Sequence, residues 1–201
     1  MRTGLTRIVV ATLMVGLPAA AFAQAPAQPP AAANTNIVVE NPTYTTIPLE
    51  IDVNKPAAEV WARIGKYCDI GEWLQIPGGC KMLSGAEGEV GSVRSVANEV
   101  LVGKTQYSYT YTQTVRAGRP YNLYHGTLEA RPVTPTTSKI VYTLMYDNSL
   151  VPGDAAAKAA EIQRRRTTFE RAMANMKLLA EGGTLPPRVA PAAPAAAPAP
   201  R

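Results

Sequence analysis

The side chains of this 201-residue chain that could do chemistry form a few small groups. His125 is the sole histidine. An unperturbed imidazole titrates near neutral pH and suits general acid–base work. No carboxylate stands beside it in the sequence, however, and its neighbours Tyr124 and Gly126 read as a strand, where a hydrogen-bonded structural histidine is the simpler expectation. Tyr107, Tyr109 and Tyr111 alternate with Ser108, Thr110 and Thr112. Facing inward, the tyrosines would form an aromatic wall with hydroxyls at its rim, suited to flat apolar ligands with a few polar substituents. Facing outward, they would be cross-strand surface pairs. Glu99 is either an exposed strand residue or a buried carboxylate that must be paired or protonated. There is no glycine-rich phosphate loop, nucleophile elbow or paired-carboxylate motif. One histidine and two cysteines leave a zinc site short of ligands, so no metal and no cofactor is expected.

The elements that must position these groups lie between residues 43 and 180. Ile47, Leu49, Ile51 and Val53 alternate with Pro48, Glu50 and Asp52, a period-two strand with one buried face. Pro48 has no N–H for a ladder, which predicts a free or bulged edge. Asn54 and Pro56 mark a helix start, with Asn54 as the candidate cap, and Val60, Trp61 and Ile64 form its apolar stripe. A second short helix over 69–74 carries Trp73 and stops at Pro77-Gly78-Gly79. Strands are predicted near 80–84, 90–97, 99–103, 105–115, 121–131 and 138–147, with glycines and prolines in the gaps. Connections this short imply antiparallel hairpins. A long helix follows over about 154–181, capped by Asp154 and ended by Gly182-Gly183. Ile162, Phe169, Met173, Met176 and Ala180 recur on one of its faces. Phe169 and Met173 are candidate cavity-wall residues, as is Met145 on the last strand, because methionine adapts to irregular space. Arg166 stands at the edge of the helical stripe, where it could close a cavity mouth or pair with a ligand anion.

Both ends read differently from the middle. Residues 1–23 have the layout of a secretory signal peptide: Arg2 and Arg7, an apolar run from Ile8 to Leu17, and Ala21-Phe22-Ala23 before a new N-terminus at Gln24. The apolar run is short for a bilayer span, so no stable membrane insertion is expected after cleavage. Residues 24–42 are an Ala/Pro-rich linker and residues 182–201 a Pro/Ala-rich tail, both too poor in large apolar side chains to offset the entropy of ordering. A domain of about 140 residues is left, enough for one core. The formal charge is +5; removing Arg2 and Arg7 lowers it to +3, a weak argument for an anionic partner. Arg164-Arg165-Arg166 points in three directions on a helix and reads as a solvated face, so no nucleic-acid partner is expected. In an oxidising compartment the even pair Cys68 and Cys80 favours a disulfide over two buried thiols. The expected location is periplasmic or secreted.

Several of these stretches also carry a family likeness. The first strand, Pro56-Ala57-Ala58-Glu59-Val60-Trp61, Trp73, Gly91-Ser92-Val93-Arg94, the hairpins and the terminal helix together resemble the START-like (Bet v 1-like) superfamily. More narrowly, they are similar to its bacterial polyketide cyclase/dehydrase-like branch, often labelled SRPBCC. The resemblance covers residues 43–181. It implies an α+β helix-grip fold: a seven-stranded curved antiparallel sheet wrapped around the long C-terminal helix, two short helices after the first strand, and an apolar cavity between sheet and helix. It also makes His125 and Thr127 candidate ligand contacts, since their stretch is similar to one that supplies polar pocket groups in related members, and it puts Glu99 near a polar pocket network. The superfamily includes carriers, receptors, aromatase/cyclases and lyases, so the likeness does not select an activity. Two departures stand out. An export signal is unusual beside the intracellular receptors and cyclases, and Ser95-Val96-Ala97-Asn98-Glu99 lacks the glycine-rich gate of the plant receptors. The expectation is an exported binding protein for a small or medium apolar molecule such as a lipid, isoprenoid or aromatic metabolite. The alternative is a cyclase, dehydratase or lyase in which His125, a tyrosine and Glu99 converge.

Overall fold

A computed structural model describes residue 39, residues 41–114, residue 119 and residues 121–188. The expected signal peptide and most of the expected linker, the end of the strand expected up to 115, and the tail beyond Arg188 lie outside the described residues. The order of elements is β1 (Tyr44–Val53), α1 (Ala57–Ile64), α2 (Ile70–Trp73), β2 (Met82–Ser84), β3 (Val93–Arg94), β4 (Glu99–Thr105), β5 (Ser108–Gln113), β6 (Asn122–Pro132), β7 (Ser138–Asp147) and α3 (Ala155–Ala180). The strands form one antiparallel sheet in the order β1-β7-β6-β5-β4-β3-β2. This is the expected helix-grip architecture.

Local chemistry explains most boundaries. α1 starts with Pro56 at the cap position and no capping side chain. The missing Pro56 N–H would have had no partner there in any case. Asn54 is therefore not the cap; its backbone N–H donates instead to Glu181 Oε1 at 2.9 Å. Asp154 does cap α3, its Oδ1 accepting from the Ala157 N–H at 2.9 Å. The strand expected over 90–97 shrinks to Val93–Arg94 because Ala97 and Asn98 both adopt positive φ, 49° and 54°. The Glu99 N–H closes this two-residue turn on Val96 O at 3.0 Å. The connection between the paired strands is thus four residues, Ser95 to Asn98, and its last two are the left-handed ones. The turn makes Arg94 and Glu99 directly opposed cross-strand partners.

The inner face of the sheet buries six of the nine tyrosines: Tyr67, Tyr109, Tyr111, Tyr124, Tyr142 and Tyr146, with Tyr67 reaching in from the α1–α2 turn. Phe169, Met173 and Met176 of α3 close over them, with the Phe169 and Tyr142 rings 4.8 Å apart. Burying each such side chain stabilises the fold by roughly 1.5–3 kcal/mol. Gly126 makes one crossing feasible, since a Cβ there would lie 2.4 Å from the Tyr111 ring and hydroxyl. Tyr111 can thus pass over β6 and meet the Tyr142 hydroxyl at 2.8 Å.

β1 is the sheet edge that Pro48 predicted, and α3 covers it. Arg166 Nη1 donates to Pro48 O at 3.3 Å and Lys177 Nζ donates to Asp52 O at 2.6 Å. Covering an edge in this way blocks further strand pairing. Cys68 and Cys80 form the expected disulfide. Gly71 packs so close to the same chain that a Cβ would stand 2.7 Å from Cys80 N. Past α3 the chain turns back on α2: Gln75 Nε2 donates to Pro186 O at 2.7 Å, Arg188 Nη1 donates to Gln75 O at 2.9 Å, and Leu185 packs on the core.

Candidate functional site

A cleft of about 390 Å³ opens between the end of α1, the 87–88 loop and the β4–β5 hairpin. Trp61, Tyr67, Tyr109 and Leu101 are its apolar lining, and Lys66, Lys104, Glu87, Thr105, Gln106 and Ser108 are polar. Its size is that of a small-molecule pocket. Gly65 leaves room for the Trp61 indole, because a Cβ at Gly65 would fall 2.4 Å from that ring. Tyr109 stands between Trp61 and Tyr67, with ring centroids 5.7 Å and 5.4 Å away and the Tyr67 contact edge-on. Tyr67 is fixed through its backbone: its N–H donates to Glu87 Oε1, and its carbonyl accepts from Arg94 Nη1 at 2.5 Å.

Behind this aromatic lining is a buried polar network. Arg94 Nε donates to Glu99 Oε2 at 2.7 Å, and Nη2 stands 2.6 Å from the same oxygen. Glu99 Oε1 accepts from Gln113 Nε2 at 2.9 Å, and Gln113 Oε1 accepts from the Tyr121 hydroxyl at 2.7 Å. The Arg94 guanidinium lies 4.2 Å from the Tyr67 ring centroid and 4.6 Å from that of Tyr111, within cation–π range. Burial pushes the Glu99 carboxyl up, while the Arg94 charge and the Gln113 amide draw it back. Desolvation also opposes the Arg94 charge, but the surrounding tyrosines and Glu99 outweigh it and hold that group above its ordinary range.

A second cluster occupies the other end of the inner face. Arg165 lies over the rings of Tyr121 at 4.4 Å, Tyr146 at 4.6 Å and Tyr124 at 5.2 Å. Its Nε donates to Glu161 Oε1, and Glu161 Oε2 accepts from the Tyr146 hydroxyl at 2.6 Å. The buried stripe of α3 therefore includes Glu161, ahead of Phe169, and Glu161 is paired with the half-buried Arg165.

The expected site residues divide into separate places. Glu99, Tyr109 and Tyr111 face inward and are buried; of these only Tyr109 lines the cleft. Tyr107 is half-buried at the β4–β5 turn and packs on the core. Phe169 and Met173 are core residues under α3 and line no part of the cleft. Buried tyrosines, Phe169, Met173 and Met176 stand between sheet and α3, and the cleft lies at the α1 side. His125, Thr127 and Met145 are corrected: on β6 and β7 they alternate with the buried Tyr124, Leu128, Leu144 and Tyr146 and so leave the sheet on its outer face. There His125 is paired in register with Thr112 and Met145. Burial alone pushes its imidazole below the ordinary value. His125 and Glu99 point to opposite faces, so the catalytic convergence is not formed. Arg166 is also corrected, since it binds the Pro48 carbonyl at the sheet edge, and Arg165 is the inward cation. Among the described residues, no group of three or more His, Cys, Asp or Glu could hold a metal ion. Also among them, no helix is long and apolar enough to cross a membrane.

Trp61, Lys66, Tyr67, Leu101 and Lys104 were not expected at the site. Trp61 could be read as part of the stripe of α1, but nothing in its spacing says that it meets a hairpin some fifty residues away.

A family model described as polyketide cyclase / dehydrase and lipid transport matches residues 45–181. No curated protein matches the chain. Among solved structures, a protein from Nitrosospira multiformis is 21% identical, with 66% of this chain and 96% of that chain covered and a TM-score of 0.51. The di-domain ARO/CYC BexL from the BE-7585A biosynthetic pathway is 17% identical, with 68% of this chain and 46% of that chain covered and a TM-score of 0.52. A protein from Thermobifida fusca is 17% identical, with 69% and 95% covered and a TM-score of 0.51. At these identities the likeness is one of fold.

Proposed function

The chain belongs to the polyketide cyclase/dehydrase and lipid transport family, and on that premise we propose that it is an exported binding protein for a small or medium apolar molecule, such as a lipid, isoprenoid or aromatic metabolite. The ligand sits in the cleft between α1 and the β4–β5 hairpin. The observation that carries this reading is the aromatic lining of that cleft, where Trp61, Tyr67, Tyr109 and Leu101 offer an apolar surface next to polar groups that can orient a guest. Burial of the guest's apolar area supplies the affinity. The signal-like residues 1–23 and the Cys68–Cys80 disulfide support export to an oxidising compartment.

The test is native mass spectrometry of the mature chain after incubation with a cell-envelope lipid extract, together with Trp61 fluorescence. Retention of one apolar species that also changes the Trp61 emission supports the reading. No retained species and no response at Trp61 would remove it. Export is checked separately by fractionating cells and sequencing the mature N-terminus, with Gln24 expected. A precursor that keeps Met1 in the cytoplasm would overturn that part.

A further inference from the structure

The charges around the cleft narrow the guest further, an inference that rests on the binding reading above. Lys66 comes from the α1–α2 turn and Lys104 from β4, so two exposed lysines line different walls of one opening. Lys104 Nζ is anchored on Gly88 O at 2.7 Å, leaving two of its three N–H donors for a guest. Lys66 has no carboxylate within ion-pair distance among the described residues, and its counter-charge is Asp69, which accepts the Lys66 backbone N–H at 2.9 Å and feels the Lys66 charge. The single carboxylate in the lining, Glu87, already accepts the Tyr67 N–H.

The aromatic surface argues in the same direction. A cationic guest would need the ring faces of Tyr67 and Tyr109. Arg94 already lies 4.2 Å from the Tyr67 ring centroid and 5.7 Å from that of Tyr109. A second cation on those rings would meet a like charge behind them. An oxyanion meets two lysines against the one Glu87 carboxylate of the lining, whose Oε1 already accepts a backbone N–H, and charge-assisted hydrogen bonds are the stronger kind.

We infer that the cleft selects an apolar molecule bearing one oxyanion, with the ring or acyl body against Trp61 and Tyr109 and the anionic group between Lys66 and Lys104. A carboxylate and a phosphate monoester share this chemistry, and the test separates them.

The experiment is calorimetric titration of the mature chain with 2-naphthoate, 2-naphthyl phosphate, 2-naphthamide and 2-naphthylmethylammonium, which share one aromatic body. The expected result is at least fivefold tighter binding of naphthoate or naphthyl phosphate than of naphthamide, with the ammonium compound weakest. Whichever anion binds tighter identifies the source. Lys66→Met with Lys104→Met brings the anion-to-amide ratio toward one, while Lys139→Met on the outer face leaves it unchanged. Raising the salt concentration narrows the ratio in the unmodified chain. Equal binding of anion and amide, or preference for the ammonium compound, overturns the inference and leaves the binding reading standing. Failure of all four to bind overturns the inference, while the binding reading stands or falls on the species retained from the envelope extract.

Discussion

Arg94 and Glu99 oppose each other across the four-residue connection 95–98, with Nε and Nη2 of the guanidinium 2.7 and 2.6 Å from one carboxylate oxygen and both side chains shut off from water. The turn is local, yet the pair it creates organises distant parts of the fold. Arg94 holds the Tyr67 carbonyl, and Glu99 holds Gln113. Removing one partner leaves an uncompensated buried charge, which costs about 3–5 kcal/mol. Arg94→Met and Glu99→Leu should each show that loss in urea unfolding. The double variant should lose less than their sum, as expected for groups in direct contact. Simple additivity would mean that the pair does not act as a unit.

Gly65→Ala tests how Trp61 is held. The added methyl would fall 2.4 Å from the indole, so the ring must leave its present place beside Tyr109. Overpacking of this kind costs roughly 1–3 kcal/mol. The emission of Trp61 should shift, and affinity for cleft ligands should fall by more than the stability change explains. An unchanged spectrum would show that the helix end absorbs the methyl without moving the ring.

Reduction of the Cys68–Cys80 disulfide opens a loop with a sequence separation of 12. The chain-entropy account gives a loss of roughly 3 kcal/mol. Because Tyr67 adjoins Cys68 in the chain and lines the cleft, ligand affinity should decline together with the melting temperature. Thermal melts and titrations with and without reductant measure both. Loss of stability with intact affinity would separate the disulfide from the cleft.

His125 is the sole histidine, so its proton resonances can be followed without ambiguity. Burial places its folded pKa below the ordinary imidazole value of about 6.5. Between those two values the unfolded chain binds more protons than the folded one, so stability rises with pH across that window and levels off above it. An NMR titration should find the midpoint below 6.5, and His125→Gln should flatten this part of the stability profile in unfolding experiments between pH 5 and 7.5. A midpoint above 6.5 would place a carboxylate beside the ring, contrary to the outer-face geometry.

Much of the fold was readable residue by residue. The alternation of Ile47, Leu49, Ile51 and Val53 marks a buried face because successive strand side chains must diverge. Pro48 announces an edge because it has no N–H to donate, and Asp154 announces a helix start because its carboxylate can accept one. The even cysteine pair announced its bond. The candidate site was less legible. Alternation puts Tyr109 and Tyr111 on one face without saying which, and it puts His125 opposite Tyr124 without saying which of them is inside. Arg165 and Arg166 are adjacent and chemically identical, but one lies under three tyrosines and the other reaches a sheet edge.

The amino-acid sequence by itself determined the family, the order of the elements, the cysteine pair and most of the turns, because each depends on residues close along the chain or on a period set by backbone geometry. Only the tertiary structure decided that Tyr142 meets Phe169 under α3, that the buried Glu161 pairs with a half-buried Arg165, and that a cleft lies beside Trp61. Those outcomes depend on strand register and on which distant side chain satisfies a buried charge. Neither quantity is local, so no window of sequence contains it.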